Sequence, residues 1–586
     1  MNTRNDYLTH KAFNIYLGAS ILTALSSMLG NIVDSVIVSN MVGHNAMSAV
    51  SLARTLIQLY YTFYLLMGLG GSLLVAYALG KNDKAGANRT FTVVVGVLTA
   101  FSLIVTAVGT ACPDKIVGLF CTNEEVYGYA LDYFKPVLWG CIFYLGSYLF
   151  GTYTTIDGAP RLVSMAMIAD NVCNLGCDVL LINGLGMGTA GSAIASNIGH
   201  LVGICIMGSH YLCGRSAFRL MHVEPSSLRK SVAEIARSGA PFAVASICLT
   251  AYMYTANIVI QEHYGASGIY IFSVMLSLLT FYNFFLSGSC NTLQSLGALL
   301  VGMGDMVGLR LSVNAAFRFL TVSLIVCCGI LWTIPGEVCK LFGCPAELLG
   351  ECCYAARIYA AAFVFFCLIY LLMVNYKLLR QEALSNFLSF ALSLTVIPVI
   401  WLIALYAPGA IWWSNLIAYL IVFATVVVWS ESKRKEGASF ITLLPVKEAK
   451  PTLDFSVEYS QAGLDESITR ISDFMDEHAI GSDRRFAMKL SAEELLKNVV
   501  QHSHSGMGRK RHTATPYIDV RLSLIDDATA EGGNKLALSI RDDGRPFDPT
   551  AAGCREGGYG LTLSTAFGQR LSYRYMFGQN MTVVEI

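Results

Sequence analysis

From about residue 12 to about residue 430 the chain is written in long apolar runs, "SLIVTAVGTA" and "LIVCCGILWTI" among them, interrupted by short polar turns. A helix needs about 20 mainly apolar residues to cross a bilayer. That rule predicts about twelve spans, near 12–40, 46–80, 90–111, 126–156, 161–182, 188–212, 232–262, 266–302, 311–336, 346–378, 384–407 and 409–430. After Pro451 the pattern changes. "TLDFSVEY", "YIDVRLSLI", "KLALSIRDDG", "QRLSYRYMF" and "MTVVEI" read as strands, while "LDESITRISDFMDEHAI" and "SDRRFAMKLSAEELLKNVVQHS" read as amphipathic helices. The expected architecture is an all-α polytopic membrane domain followed by an α+β sandwich, with helices on one face of a mainly antiparallel sheet.

The apolar part repeats itself. With a shift of 222 residues, "DSVIVSNMVG" (34–43) falls on "ANIVIQEHYG" (256–265) and "GKND" (80–83) falls on "GMGD" (302–305). "LFCTNEE" (119–125) falls on "LFGCPAE" (341–347), and Lys135 falls on Arg357. Polar and glycine matches at one offset in four separate places predict two parallel six-helix repeats, an arrangement typical of transporters with a central cavity. The expected divisions are an N-lobe at 1–222, a C-lobe at 223–435, a linker at 436–451 and a soluble domain at 452–586.

Composition sharpens this division. Charged residues make up 14% of the chain, against about 25% in soluble domains, and the deficit lies before residue 450. Forty basic and forty acidic residues cancel, which argues against a nucleic-acid partner. The seventeen cysteines sit mostly in apolar runs without a CxxC pair and read as small buried hydrophobes of a reducing cell. The N-terminus has no apolar core followed by a small-residue cleavage site, so no cleaved signal peptide is expected. Lys and Arg gather on one side of the expected spans, from Lys81, Lys84 and Arg89 through Arg229 and Lys230 to "SESKRKEG". The other side has little beyond Lys115 and Lys340. By the positive-inside rule the first side is cytoplasmic. Both termini, and with them the soluble domain, are therefore expected in the cytoplasm of a bacterial-type inner membrane.

An ionisable group in hydrocarbon costs about 2.5–3.5 kcal/mol on insertion scales, so each one asks for a reason. Asp34 lies late in the first expected span. Asp178 lies late in the fifth, one turn beyond Asn174 and two beyond Asp170. Both spans run outward, which brings Asp34, Asn174 and Asp178 to similar depth. Carboxylates and an amide oxygen there suit H⁺ or Na⁺; the alternative is that Asp34 or Asp178 pins a helix end near the headgroups. The repeat offers no second copy, since Ala256 and Ile400 stand at the equivalent positions.

"NIVDSVIVSNMVGHNAMSAVSLA", "GSLLVAYALGKNDKAGANR" and "NLGCDVLLINGLGMGTAGSAIASNIG" resemble the multidrug and toxic compound extrusion (MATE) transporters, over roughly residues 10–435. The resemblance implies twelve helices in two lobes, alternating access, and export of small organic, often cationic, compounds driven by H⁺ or Na⁺. It also implies an N-lobe cation site at Asp34, Asn174 and Asp178. The membrane acid that some members carry in the second lobe is not evident here. The glycines and alanines of "GMGTAGSAIAS" read as close helix packing.

The soluble part carries three clusters. Glu494 and Asn498, with His502 beyond them, share one helix face in "EELLKNVVQH". Asp542 and Gly544 end a strand in "RDDGRPFDP", and "GGYGL" puts Gly558 and Gly560 at a helix start. Glycines there offer N–H groups to phosphates. An asparagine oxygen can hold Mg²⁺ together with phosphates and waters, and a carboxylate one turn away can act as base. An acid at a strand end can accept from adenine's amino group. Together and in this order the clusters resemble the GHKL ATP-binding fold of histidine kinases and type II topoisomerases, over roughly 452–586. "SAEELLKN", the compact size and the late Asn580 most resemble the anti-sigma factor serine kinases. The resemblance makes Glu494 the catalytic base, Asn498 the Mg²⁺ ligand and Asp542 the adenine reader, with Gly544, Gly558 and Gly560 shaping the ATP pocket. Pro546 stands where many relatives have glycine. His502, His504 and "GRKRH" (508–512) read as helix end and solvated loop.

Two functions follow. One is a cation-coupled efflux antiporter with a cytoplasmic ATP-binding regulatory or kinase-like domain. The other is a membrane-anchored serine/threonine kinase or phospho-switch, acting on a cytoplasmic protein, with the transporter-like domain as ligand sensor. No G-x-x-x-x-G-K-[ST] loop is present to suggest direct ATP-driven transport.

Overall fold

The computed structural model describes residues 4–586 except 42–43, 82, 121–123, 215, 343, 435–437, 446–450, 503–516, 527–533, 550–569 and 577; the side chains of 27, 29–48, 51, 124–126, 266, 341, 501–502, 526, 534 and 570 also fall outside the description. The chain divides into two compact units. One comprises residues 17–305 and 313–444; the other comprises residues 1–16, 306–312 and 445–586.

The first unit is helical. It opens with α1 (Tyr7–Met41), which starts in the other unit, then α2 (His44–Tyr64) and α3 (Gly70–Gly80), joined by a π-turn at Leu65–Leu69. There follow α4 (Lys84–Ala111), α5 (Pro113–Phe120), α6 (Glu124–Trp139), α7 (Cys141–Ile156), α8 (Pro160–Asp178) and α9 (Gly188–Leu212). The second half holds α10 (Pro225–Thr292), broken at Gly265 where φ is 59°, then α11 (Ala298–Gly302) and α12 (Met306–Thr333), which like α1 starts in the other unit. It closes with α13 (Pro335–Leu341), α14 (Leu349–Leu378), α15 (Glu382–Leu394), α16 (Val396–Tyr406) and α17 (Ser414–Lys433). Among the described residues, ten helices are long and apolar enough to cross a membrane. The other two expected spans are 12–40, within α1, and 126–156, which divides around Gly140 into α6 and α7, each of 16 residues.

The repeat has a physical counterpart. Gly80 ends α3 and its partner Gly302 ends α11, and the two glycines touch each other. A Cβ on Gly80 would stand 2.6 Å from Gly302 Cα, and one on Gly302 would stand 2.7 Å from Gly80 Cα. Both obstacles are backbone and cannot swing aside. Gly80→Ala and Gly302→Ala are each expected to cost about 1–3 kcal/mol, the usual size of an overpacking penalty. Because the separation that admits one methyl also admits the other, the double variant should cost less than the sum. Melting of the detergent-purified protein checks this; full additivity would mean that the two glycines do not meet.

The second unit contains a five-stranded antiparallel sheet of β1 (Thr452–Glu458), β2 (Tyr517–Asp526), β3 (Asn534–Asp542), β4 (Arg570–Met576) and β5 (Gln579–Glu585), in the order β1-β2-β3-β5-β4. Its helices are α18 (Gln461–Glu477) and α19 (Ser482–His502). The period of two sorts the strands by face. Phe455, Val520 and Ile540 lie side by side in register and pack with Ile471 and Met475 of α18 and Leu495 and Leu496 of α19. The opposite face is polar yet buried: Asp454 lies across from Arg521, and Asp519 from Arg541. The chain's own N-terminus meets this face. Arg4 pairs with Asp454 at 3.2 Å and Asp519 at 3.3 Å, Asn5 N–H donates to Ser456 Oγ, and Gln579 Nε2 donates to the Leu8 carbonyl.

Candidate functional site

In the second unit, α19 buries Leu495, Leu496 and Val499 against the sheet, which turns Glu494 and Asn498 to its edge, one turn apart and half-buried. Glu493, Glu494 and Lys497 line a cavity of about 420 Å³, closed on its other side by Gln461, Leu464, Asp465 and Ile468 of α18. Three carboxylates and one ammonium face this cavity, and neither Asn498 nor Asp542 is among the residues that line it. Asn498 lies one turn beyond Glu494 on the same helix; magnesium keeps waters and needs only one or two protein ligands, so a carboxamide there could serve as one.

Asp542 ends β3, almost fully buried. Its Oδ1 accepts from the Gly544 N–H at 2.9 Å, an Asx-type turn, and from Asn580 Nδ2 at 2.8 Å. Asn580 lies directly across in the β3–β5 register. Its Nδ2 also donates to the Arg545 carbonyl, and its Oδ1 accepts from the Tyr573 hydroxyl at 2.7 Å and the Phe547 N–H at 3.2 Å. Burial pushes the Tyr573 phenol up, opposed by a hydrogen bond from the Phe547 N–H and reinforced by Asp548 and Asp542. The phenol therefore stays a donor and Asn580 stays oriented. The next residue, Asp543, pairs with Lys11 Nζ at 2.5 Å. Gly558 and Gly560 lie outside the described residues, as do His504, "GRKRH" and the His502 side chain.

In the helical unit, α8 and α9 run antiparallel and meet through polar rungs. Asp170 Oδ2 pairs with His200 Nδ1 at 2.8 Å, and Asn174 Nδ2 donates to Ser196 Oγ at 3.2 Å. The same register sets Asp178 opposite Ser192; both are completely buried. Asp34 lies on α1, and its side chain is outside the described residues. The structure thus brings Asn174 and Asp178 onto one seam, which Asp170 and His200 extend. His200 went unmarked in the sequence because a lone histidine in an apolar helix has no periodic signature.

Residues 19–180 match the MatE family model. Residues 460–586 match the model of the histidine kinase-like ATPase domain. The MatE segment contains α8 with Asn174 and Asp178, and the ATPase segment contains Glu494, Asn498 and Asp542. Two curated proteins of Bacillus subtilis (strain 168) are similar to this chain. "Probable multidrug resistance protein YoeA" is 25% identical over 198 residues, 32% of this chain and 42% of that protein. "Probable multidrug resistance protein YpnP" is 23% identical over 258 residues, 42% of this chain and 56% of that protein. The chain spans about half the length of the curated relatives it matches. A MOP superfamily transporter from Pyrococcus furiosus has the same fold, with TM-score 0.66 at 16% identity over 74% of this chain and 98% of that one. The protein is therefore a multi-pass membrane protein of MATE fold with a C-terminal histidine kinase-like ATPase domain.

Proposed function

We propose that the protein is an efflux antiporter exchanging a small organic, often cationic, compound for H⁺ or Na⁺, with an ATP-binding regulatory or kinase-like domain in the cytoplasm. The observation that carries the reading is Asp178, completely buried on the α8–α9 seam of a MATE-fold unit, one turn from Asn174. A carboxylate is kept in such a place at a cost, and a cation or proton taken up and released during transport accounts for it. Asp34 completes the proposed cation site, within lobes at 1–222 and 223–435. The basic loops put both termini in the cytoplasm. In the ATPase domain, beyond the linker at 436–451, Glu494 is the proposed base, Asn498 the Mg²⁺ ligand and Asp542 the adenine reader, with Gly544, Gly558 and Gly560 around the pocket. The Glu494 cavity supports a second reading, a kinase acting on a serine or threonine of a cytoplasmic protein, with the MATE-fold unit as sensor.

Proteoliposomes separate these. Wild type should move an organic cation under an H⁺ or Na⁺ gradient. Asp178→Asn should slow this about tenfold or more, equivalent to about 1.4 kcal/mol of lost ion binding. Glu494→Ala should remove whatever ATP adds to the rate. Transport absent under every gradient, together with phosphorylation of a cytoplasmic protein, would replace the first reading with the second.

A further inference from the structure

Four of the seventeen cysteines are not scattered as small hydrophobes would be. Cys339 near the end of α13, Cys344 in the turn after it, and Cys352 and Cys353 near the start of α14 meet at one corner. Cys352 Sγ stands 3.3 Å from Cys339 Sγ across 13 residues of sequence. Cys353 reaches the same Cys339 sulfur, and Cys344 reaches Cys352. The turn folds back to allow this, since the Cys344 N–H donates to the Cys339 carbonyl at 3.2 Å. Cys339 and Cys352 are completely buried, whereas Cys344 and Cys353 are half-buried.

This arrangement favours sulfur–sulfur chemistry. Among the described residues no three His, Cys, Asp or Glu side chains are set to hold a metal. A disulfide needs the Cys339 and Cys352 sulfurs to close by about 1.3 Å, to the ~2.0 Å of the bond. The hydrogen bond from the Cys352 thiol, helped by Cys353, holds the Cys339 thiol below its ordinary value against burial. The thiolate is the attacking form. Cys173 and Cys177 also approach, at 4.0 Å, but both lie on α8 and a bond there would join nothing new. The corner has other ties: Tyr270 of α10 donates to the Phe342 carbonyl at 3.1 Å, and Trp412 Nε1 donates to Glu351 at 3.3 Å. A bond between the two sulfurs can therefore open and close without unfolding it.

The corner also lies where an oxidant is found. Lys340 falls on the side opposite the basic loops, which the charge distribution makes the outer one, and that side is oxidising. At 30 residues α14 is about 45 Å long, against ~30 Å of hydrocarbon, which leaves its first turn room outside the bilayer core.

We propose that Cys339 and Cys352 form a reversible disulfide that clips α13 to α14, reached through Cys344 by disulfide-bearing oxidants on the outer side. The inference goes beyond the antiporter reading and shares with it only the orientation of the spans. Exchange runs in three displacements. The Cys344 thiolate attacks one sulfur of the oxidant RSSR and releases RS⁻. Cys352, losing its proton, displaces the second RS⁻ and forms a Cys344–Cys352 bond. The Cys339 thiolate then attacks Cys352 Sγ and returns Cys344 as a thiol. In sum two thiols become one disulfide, and their two electrons and two protons leave on two RSH.

Full-length protein in nanodiscs, equilibrated with oxidised and reduced glutathione, blocked with maleimide and sequenced by mass spectrometry, tests this. Oxidised glutathione should produce a Cys339–Cys352 linkage in wild type, and reduced glutathione should reopen it. Cys344→Ser should reach the same end point about tenfold more slowly, and Cys352→Ser should leave Cys339 unlinked. In intact cells a membrane-impermeant maleimide should label Cys344 from outside after reduction. Cys339 and Cys352 free at every glutathione ratio in wild type would overturn the inference. So would a linkage at Cys353 instead, a bond that glutathione cannot reopen, or an unslowed Cys344→Ser. Each of those outcomes would leave the antiporter reading standing. Cys344 labelled only in inverted vesicles would overturn the inference together with the orientation, while gradient-driven transport would still decide the antiporter.

Discussion

Asp542→Asn is expected to weaken ATP binding about 10- to 100-fold while leaving the ATPase domain folded. Asp542 Oδ1 holds the Gly544 N–H and Asn580 Nδ2, and the asparagine oxygen can keep both. The second oxygen becomes an NH₂ group, a donor turned against adenine's amino donor. Losing a hydrogen bond to a charged acceptor costs about 1.5–3 kcal/mol, which sets the stated range. Nucleotide titration of the full-length protein, with ATP and GTP side by side, measures it. Unchanged ATP affinity in a folded variant would remove Asp542 from the adenine site. Asn580→Ala should also weaken binding, but with a lower melting temperature, because it takes one donor from Asp542 Oδ1 and the acceptor of the Tyr573 hydroxyl.

Asp454→Asn is expected to destabilise the sheet unit by about 3–5 kcal/mol, the cost of removing one partner from a buried ion pair. Its carboxylate sits under Arg4 and Arg521, both at 3.2 Å, and the variant leaves buried guanidinium groups without it. Arg4→Gln should cost less, about 2 kcal/mol, since Arg521 and Arg541 remain to neutralise Asp454 and Asp519. The order of the two effects is the informative part. Combining Arg4→Met and Arg521→Met with Asp454→Leu should recover much of the loss, because apolar residues can replace a whole buried ion group at little cost. Hydrogen exchange at β1 and β2 amides in the full-length protein reads all three. Equal, small effects would mean that the N-terminus does not rest on this face.

Much of the architecture was legible because it is locally encoded. An apolar run long enough to span is a property of about 20 neighbouring residues, and the alternation of "TLDFSVEY" or "YIDVRLSLI" is visible within eight. β1, β2 and β3 therefore lie where the pattern put them, and the 222-residue offset pairs Gly80 with Gly302, which touch. The strand end at Asp542 was legible for the same reason, since it follows directly on the alternation of "KLALSIRDDG". Tertiary packing decided everything that joins distant segments. Asp170 meets His200 thirty residues on because α8 and α9 pack antiparallel, and Asn580 reaches Asp542 because β5 pairs with β3 in one register. Arg4 reaches Asp454 across 450 residues. Each of these is a single polar residue with no period around it, so no local rule marks it; burial of the partner charge gives it meaning, and burial exists only once the chain is folded.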